Sequence, residues 1–247
     1  MKTINCFIPY ADAQQVQATV DGLRQNALVT KIFLLATDAN AAAVEGCEVI
    51  NIDALNSSAT MKKIAAATEG DYTLLYTKYN NLVMGYLALE RMVRLAGDSK
   101  AAMVYADNYQ IVEGKKSNAP VIDYQFGSLR DDFNFGSVLF FCTKALKAAA
   151  AEIDVEYTAA GLYDLRLKVS RQGDLVHINE YLYTEIALPV ASEGESHFSY
   201  VDPKNRGVQI EMEQACTDNL KKIGGYLEPK FEEINFNQGD FDYECKD

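Results

Sequence analysis

The segment Gly70-Asp71-Tyr72-Thr73-Leu74-Leu75-Tyr76-Thr77-Lys78-Tyr79-Asn80-Asn81 is the part of the sequence that indicates the fold most directly. It follows a helical pattern over residues 58–68, contains the largely apolar run 72–76, and ends in the polar turn 77–79. A helix followed by a short buried strand and a polar turn is typical of an α/β sheet. Because ligands of open α/β sheets bind at the carboxyl ends of strands, the turn is also a candidate binding position.

The same alternation extends to both sides of this segment. Asp12 is predicted to cap a helix that carries Val16, Val20 and Leu23 on one face. Strands are predicted at residues 4–9, 31–36, 47–52, 102–105, 121–124 (after a turn at 113–116), 136–142 and 176–183, and helices at 86–96, 143–152, 162–171 and from Asp202 to Ile223. The order predicts a three-layer α/β fold with a mixed, mostly parallel central sheet and helices on both faces.

Composition limits the class of protein. The chain has 247 residues, 49% of them hydrophobic, which is enough for a full core, and no Gly/Ser/Pro-rich linker divides it. We therefore predict one domain over residues 1–227, followed by an acidic segment 228–247 that is a tail or a linker to a further domain. The net charge of −12, from 23 basic and 35 acidic residues, argues against a nucleic-acid binder.

The cysteines and the hydropathy pattern indicate the compartment. The five cysteines are widely spaced and form no CxxC pair, which favours free thiols in a reducing compartment over a disulfide scaffold or a zinc site. No run approaches the roughly 18 apolar residues of a membrane-spanning helix. We expect a soluble, cytoplasmic chain without a direct membrane span.

Several common catalytic patterns are missing from the sequence. His177 and His197 show no metal-binding spacing, so we interpret them as surface or hydrogen-bonded structural histidines. The first strand is not followed by a glycine-rich dinucleotide fingerprint, and neither a P-loop, a GxSxG elbow nor an HExxH motif occurs.

Five residues near the carboxyl ends of the predicted strands are candidates for binding a nucleotide. Tyr10, after Pro9, could stack on a base, and Asp38 could bind ribose or ring N–H groups. Asp12 and Asp38 are equally good helix caps, so both interpretations stay open. Lys78 could neutralise a diphosphate without a metal, or it could be a solvated surface lysine.

Two further polar groups could carry chemistry. Asp107, in Tyr105-Ala106-Asp107-Asn108, could bind a sugar or contribute to an Mn²⁺ or Mg²⁺ site, or it could simply form a turn. Arg130, Asp131 and Asp132 form the densest polar cluster between apolar elements. Such carboxylates suit a general base or a clamp on sugar hydroxyls, whereas the alternative is a structural Arg–Asp pair. If this segment were extended, the two aspartates would point to opposite faces.

The ordered set of segments resembles the inverting family 2 glycosyltransferases of the GT-A fold, from Ile4 to about Tyr226. The matching pieces are residues 4–10, 70–75, 105–109 with the hairpin, 136–141, and the helix 163–167 with the extended segment 176–183. Each of these motifs alone is weak evidence for the family, but their order and spacing together are fairly specific for it.

The resemblance implies a nucleotide-diphospho-sugar donor held by the first half of the chain and a glycan or lipid-linked hydroxyl acceptor at the second half. A base would deprotonate the acceptor, and the sugar would be transferred with inversion. The family normally uses a divalent metal on the leaving diphosphate. Similar bacterial chains carry an intact transferase domain after a segment like residues 228–247, which implies a C-terminal partner domain.

The sequence departs from the family at its catalytic positions. The second strand ends with Asp38 in place of the family's acidic pair, and Thr77-Lys78-Tyr79 stands where an Asp-x-Asp pair would hold the metal. The family's base precedes a Tyr-Asp-Leu motif, and here that position is Leu162. The available replacements are Lys78 for the metal and Asp131, Asp132 or Asp164 for the base. A catalytically degenerate module that binds glycan, sugar nucleotide or a partner domain is therefore the competing hypothesis.

Overall fold

The structure, a computed structural model, describes residues 2–38, 41–188 and 205–230. Within these ranges nine strands form a mixed sheet, as predicted. The strands are β1 Ile4–Tyr10, β2 Val29–Ala36, β3 Glu48–Asn51, β4 Tyr72–Tyr76, β5 Asn81–Met84, β6 Met103–Val112, β7 Lys115–Ala119, β8 Val138–Cys142 and β9 Leu175–Ile186. The helices are α1 Ala13–Arg24, α2 Ser58–Ala67, α3 Ala88–Ser99, α4 Thr143–Ala151, α5 Gly161–Gln172 and α6 Arg206–Ile223.

The strand order brings several chain segments to one edge of the sheet. The order is β3-β2-β1-β4-β8-β6-β9-β5, with β7 paired to β6. The first four strands of this order are parallel to one another, whereas β8 is antiparallel to β4, with Tyr76 opposite Val138. The carboxyl ends of β1, β2 and β4 therefore meet the residues that precede β8.

Helices cover both faces of the sheet and complete the three predicted layers. Along β1, Ile4, Cys6 and Ile8 pack into the core beneath α1 and α3, while Phe7 packs into the core beneath α2, α4 and α5. This alternation follows from the two-residue period of a strand. Helix α6 packs on α5, outside these two layers, and Ala215 is buried there.

Several predicted helix boundaries are present in the structure. Asp12 is the N-cap of α1, accepting a hydrogen bond from the Gln15 backbone N–H, and Gly224 ends α6 in the left-handed conformation. The predicted cap of α6, Asp202, lies outside the described residues, as do His197 and most of the acidic segment 228–247. None of the helices in the described ranges is long and apolar enough to cross a bilayer.

The hairpin after β6 differs from the prediction. Glu113 and Gly114 both have positive φ and form a two-residue turn, so the return strand is β7, Lys115–Ala119. The predicted strand 121–124 is wrong. Its apolar residues suggested a strand, but Val121 instead donates its backbone N–H to Asp107 Oδ1 at 2.8 Å.

Glu211 of α6 fastens that helix to the start of α5. Its carboxylate accepts hydrogen bonds from the backbone N–H groups of Thr158, Ala159 and Ala160, at 2.8–3.1 Å, and from the Thr158 hydroxyl at 2.7 Å. Partial burial opposes ionisation, but these hydrogen bonds together hold the pKa of Glu211 below its usual value. A carboxylate at a helix N-terminus is also favoured by the helix dipole.

Replacing Glu211 with glutamine is expected to lower the free energy of unfolding by about 1–2 kcal/mol at neutral pH, because charge-assisted hydrogen bonds are lost. The pKa of Glu211 is depressed in the folded state, so its contribution is complete above the ordinary value of 4.5 and is lost as the pH falls through the lower folded pKa. Urea denaturation of both chains at several pH values checks this. A difference that grows on acidification would contradict it.

Candidate functional site

A cleft of about 370 Å³ lies at the edge of the sheet where β4 ends and β8 begins. Three segments enclose most of it: Thr77 after β4, residues 131–136 ahead of β8, and the first turns of α5. Its lining consists of Asn56, Thr77, Asp131, Asp132, Phe133, Asn134, Phe135, Gly136, Leu139, Ala159, Leu162, Tyr163, Arg166 and Met212. This is the edge at which α/β folds bind ligands.

Asp131 and Asp132 both reach this cleft. They lie in a turn rather than a strand, so their side chains are not forced to opposite faces as an extended segment would require. Arg130 donates two hydrogen bonds to Asp132, at 2.8 and 2.7 Å, and this pairing lowers the pKa of the Asp132 carboxyl. Asp131 accepts only the backbone N–H of Asp132, at 3.1 Å, and within the described residues it forms no ion pair. Asp131 is therefore the carboxylate free to receive a proton from a ligand.

Asp164 does not join them. It is buried, forms an ion pair with Lys168 one helical turn later, and lines a different cleft together with Arg171. Burial raises the pKa of the Asp164 carboxyl, an effect that Lys168 opposes. Because residues two apart on a helix point in nearly opposite directions, Asp164 faces away from the cleft that Leu162 and Arg166 line. Asp164 therefore cannot act on a ligand beside Asp131.

Arg166 is the cation of the cleft and is not among the predicted site residues. Its residue is only 6% exposed, Nη2 donates to the Arg130 carbonyl at 2.9 Å, and Nη1 is buried without a hydrogen-bond partner. The guanidinium lies 4.8 Å from the ring centre of Tyr163 and 5.4 Å from that of Phe135. Burial lowers the pKa of Arg166. Nothing in the sequence distinguishes it from a solvated helix arginine.

Lys78 is half-exposed, but it is not free, because it is paired with a buried carboxylate. Its Nζ lies 3.2 Å from Oε2 of Glu185, whose side chain is 4% exposed. Glu185 also accepts hydrogen bonds from the Ser137 hydroxyl and the Asn108 side-chain amide. Buried carboxylates need such partners, so Lys78 has a structural role in addition to any binding role. Glu185 lies near the end of β9, and no sequence pattern singles it out.

The other predicted donor-binding residues lie near the same edge but do not line the cleft. Tyr10 is 6% exposed and belongs to the core, so the prediction that its ring stacks on a base is not supported by its burial. Pro9 is also buried in β1, and Asp12 is engaged as a helix cap. Asp38 is exposed just beyond β2, whose Ala36 pairs with Tyr10.

Asp107 is not arranged to bind a metal. Its Oδ1 accepts the Val121 N–H at 2.8 Å and lies 2.9 Å from Nε2 of His177, whose Nδ1 lies 2.7 Å from Asp123. Each of these side chains is already engaged in a hydrogen bond to another group of the protein. Among the described residues no group of three His, Cys, Asp or Glu side chains could hold a metal ion. The residues present do not fit the Mn²⁺ or Mg²⁺ site suggested for Asp107.

Comparisons with known proteins identify the fold. No protein-family model and no curated protein sequence matches the chain. Among solved structures, it is similar to residues 1–349 of TarS from S. aureus, a GT-A-like glycosyltransferase, with a TM-score of 0.55 and 8% sequence identity. The match covers 74% of this chain and 60% of that structure, so the chain spans less than two thirds of its neighbour. The chain therefore has a mixed α/β fold similar to that of this structure.

Proposed function

We propose that this chain is an inverting, family 2-like glycosyltransferase domain. It binds a nucleotide-diphospho-sugar and transfers the sugar to the hydroxyl of a glycan or lipid-linked acceptor in the cytoplasm, in bacterial surface polysaccharide or glycan synthesis. The observation that supports this is Asp131, a carboxylate without an ion-pair partner among the described residues, in a cleft at the carboxyl edge of a glycosyltransferase-like sheet.

Asp131 is the general base in this proposal. It accepts the proton of the acceptor hydroxyl, whose oxygen then forms a bond to the anomeric carbon. The bond between that carbon and the diphosphate oxygen breaks, and the electron pair leaves with the nucleoside diphosphate. Attack from the face opposite the leaving group inverts the anomeric centre.

Lys78 supplies positive charge to the leaving diphosphate. A lysine ammonium has three N–H donors, and one is used by Glu185, so two remain for phosphate oxygens. The Lys78 side chain is 47% exposed, which leaves it accessible. No step is assigned to a divalent metal, because the side chains around Asp107 are committed to one another.

A second candidate is a non-catalytic module that binds glycan, sugar nucleotide or a partner transferase domain. Leu162 favours it, because a leucine lines the cleft where the resemblance places the base, and a leucine cannot accept a proton. Asp164, the nearest carboxylate in sequence, is paired with Lys168 on the opposite side of α5. The two candidates differ in one observable: the glycosyltransferase consumes donor.

Calorimetric titration with UDP-, GDP- and dTDP-sugars, each with manganese and then with EDTA, tests the donor site. We expect one donor to bind equally in both conditions, and Lys78→Ala to weaken it at least about tenfold, the size of one charge-assisted hydrogen bond. Lys62→Ala, which breaks the exposed Lys62–Glu156 pair, is the control for the loss of one lysine charge and should not change donor affinity.

Donor consumption is then measured with a panel of sugar acceptors. Consumption supports the glycosyltransferase. Binding without consumption supports the second candidate, and donor binding that requires manganese would contradict the role given to Lys78.

A further inference from the structure

We propose that the cleft is a site for an acidic sugar, whose carboxylate or phosphate group is bound by Arg166. The claim that the acidic sugar is the acceptor rests on the proposed function. The claim that the cleft binds an acidic sugar rests on the structure of the cleft alone.

Arg166 is a buried cation with no ion-paired carboxylate among the described residues, and the charge of Asp131 in the same cleft acts on it only from beyond ion-pair distance. It is 6% exposed, one nitrogen donates to a neutral carbonyl, and Nη1 has no partner. Within the part of the chain that the structure describes, no carboxylate lies within ion-pair distance of it. Buried charges are normally paired, because desolvation is costly. An anionic ligand against the part of Arg166 that lines the cleft would supply the missing counter-charge.

The other cations of α5 show that this helix does pair its charges elsewhere. Lys168 is bound by Asp164, and Arg171 is bound by Glu152 and by the Asn219 amide oxygen at 2.6 Å. These two face the opposite cleft. Arg166, which faces the cleft of Asp131, is the exception. Its planar fork of N–H donors matches the geometry of a carboxylate or a phosphate.

The rest of the lining suits a sugar. Phe133, Phe135 and Tyr163 provide apolar walls, and Asn56 and Asn134 provide polar groups for hydroxyls. A volume of about 370 Å³ is within the range of small-molecule sites. Apolar walls with a few polar groups and one charge are the usual composition of such pockets.

The two aspartates of the cleft determine where the anion can lie. Asp132 is paired with Arg130, whereas Asp131 has no ion-pair partner among the described residues, and its carboxylate disfavours an anion beside it. The acidic group must therefore lie at the Arg166 side of the cleft, and a neutral hydroxyl of the same ligand faces Asp131. The competing explanation is that Arg166 only holds the Arg130 carbonyl and stacks on Tyr163.

The test is a titration of the wild-type chain, without donor, with three sugars of the same ring. Methyl glucuronide carries a carboxylate, methyl glucoside 6-phosphate carries a phosphate, and methyl glucoside is neutral. We expect at least one acidic sugar to bind tenfold or more tightly than methyl glucoside, and the tighter one identifies the anionic group. Acetate and inorganic phosphate as separate titrants show whether the anion alone accounts for the binding. Equal binding of all three sugars would overturn the proposal.

The variants assign the effect to one side chain. Arg166→Met should abolish the preference for the acidic sugar, whereas Arg171→Met removes the same charge from the opposite side of the same helix and should retain it. A preference that persists in a folded Arg166→Met chain would overturn the proposal. If that variant does not fold, Arg166→Lys keeps the charge without the fork and should weaken the preference, and an unchanged preference there counts against the proposal.

The experiments distinguish failure of the acidic-sugar proposal from failure of the proposed glycosyltransferase function. The titration involves neither donor nor turnover, so a chain that never consumes donor can still bind acidic sugars through Arg166. Conversely, transfer to neutral acceptors without any binding of acidic sugars would leave the glycosyltransferase intact and remove this inference.

Discussion

Asp131→Asn is expected to lower sugar transfer by about 10²–10⁴-fold, because that is the usual contribution of a positioned general base. Asparagine keeps the shape and most of the hydrogen bonding of the side chain but cannot accept the proton of the acceptor hydroxyl. Donor affinity should be unchanged, because Asp131 contacts the acceptor in this proposal. Steady-state rates of nucleoside diphosphate release, with donor affinity measured in parallel by calorimetry, check the expectation.

Two variants separate the role of Asp131 from general effects of charge. Asp98→Asn removes an exposed carboxylate paired with Arg94 on α3 and should transfer sugar at the wild-type rate. Asp132→Asn releases Arg130 from its two hydrogen bonds and reports on the pair beside the base. A loss at Asp132→Asn as large as at Asp131→Asn would assign the chemistry to the Arg130–Asp132 pair. Unchanged transfer in Asp131→Asn would remove the base from the proposal.

The elements that the sequence predicted well depend on local signals. Strand β4 spans Tyr72–Tyr76, as predicted, because it is a short apolar run between a helix and a polar turn. Helix α1 begins after Asp12, as predicted, because the N-cap hydrogen bond joins Asp12 to a backbone N–H only three residues later. Strand β5 was missed, since Asn81–Met84 is short and its partner β9 lies about a hundred residues later in the chain. Pairing between strands that are so far apart in the chain produces no recognisable local sequence pattern.

The residues of the candidate site also divide into those that local sequence patterns reveal and those that they do not. Asp131 and Asp132 were found because a dense polar cluster between apolar elements is visible in the sequence. Arg166 and Glu185 were missed because their significance is that each charge is buried, and burial is decided by which elements pack around them. Asp164 is a candidate base by sequence, but it follows Leu162 by two residues, about half a helical turn, and therefore lies on the other side of α5.

Gly161→Ala is expected to lower the free energy of unfolding by about 3 kcal/mol, at the upper end of the usual cost of overpacking. A Cβ at Gly161 would lie 2.1 Å from the Ser58 nitrogen and 2.3 Å from the Ser57 carbonyl carbon. Neither backbone segment can move away easily, because the Leu162 N–H donates to the Asn56 carbonyl and the Ser58 N–H donates to the Tyr157 carbonyl. Urea denaturation of the variant and the wild type measures the loss.

Gly22→Ala is the matched control for this experiment, and its effect should have the opposite sign. Gly22 is exposed in α1, and a Cβ there would meet nothing within 4 Å. Alanine in a helix is more favourable than glycine by about 0.5–1 kcal/mol, so this variant should be more stable than the wild type. If both variants were more stable than the wild type, helix propensity would outweigh the predicted clash at Gly161. A loss confined to Gly161→Ala locates it in the contact between α5 and the start of α2, beside the part of the cleft that Asn56 and Leu162 line.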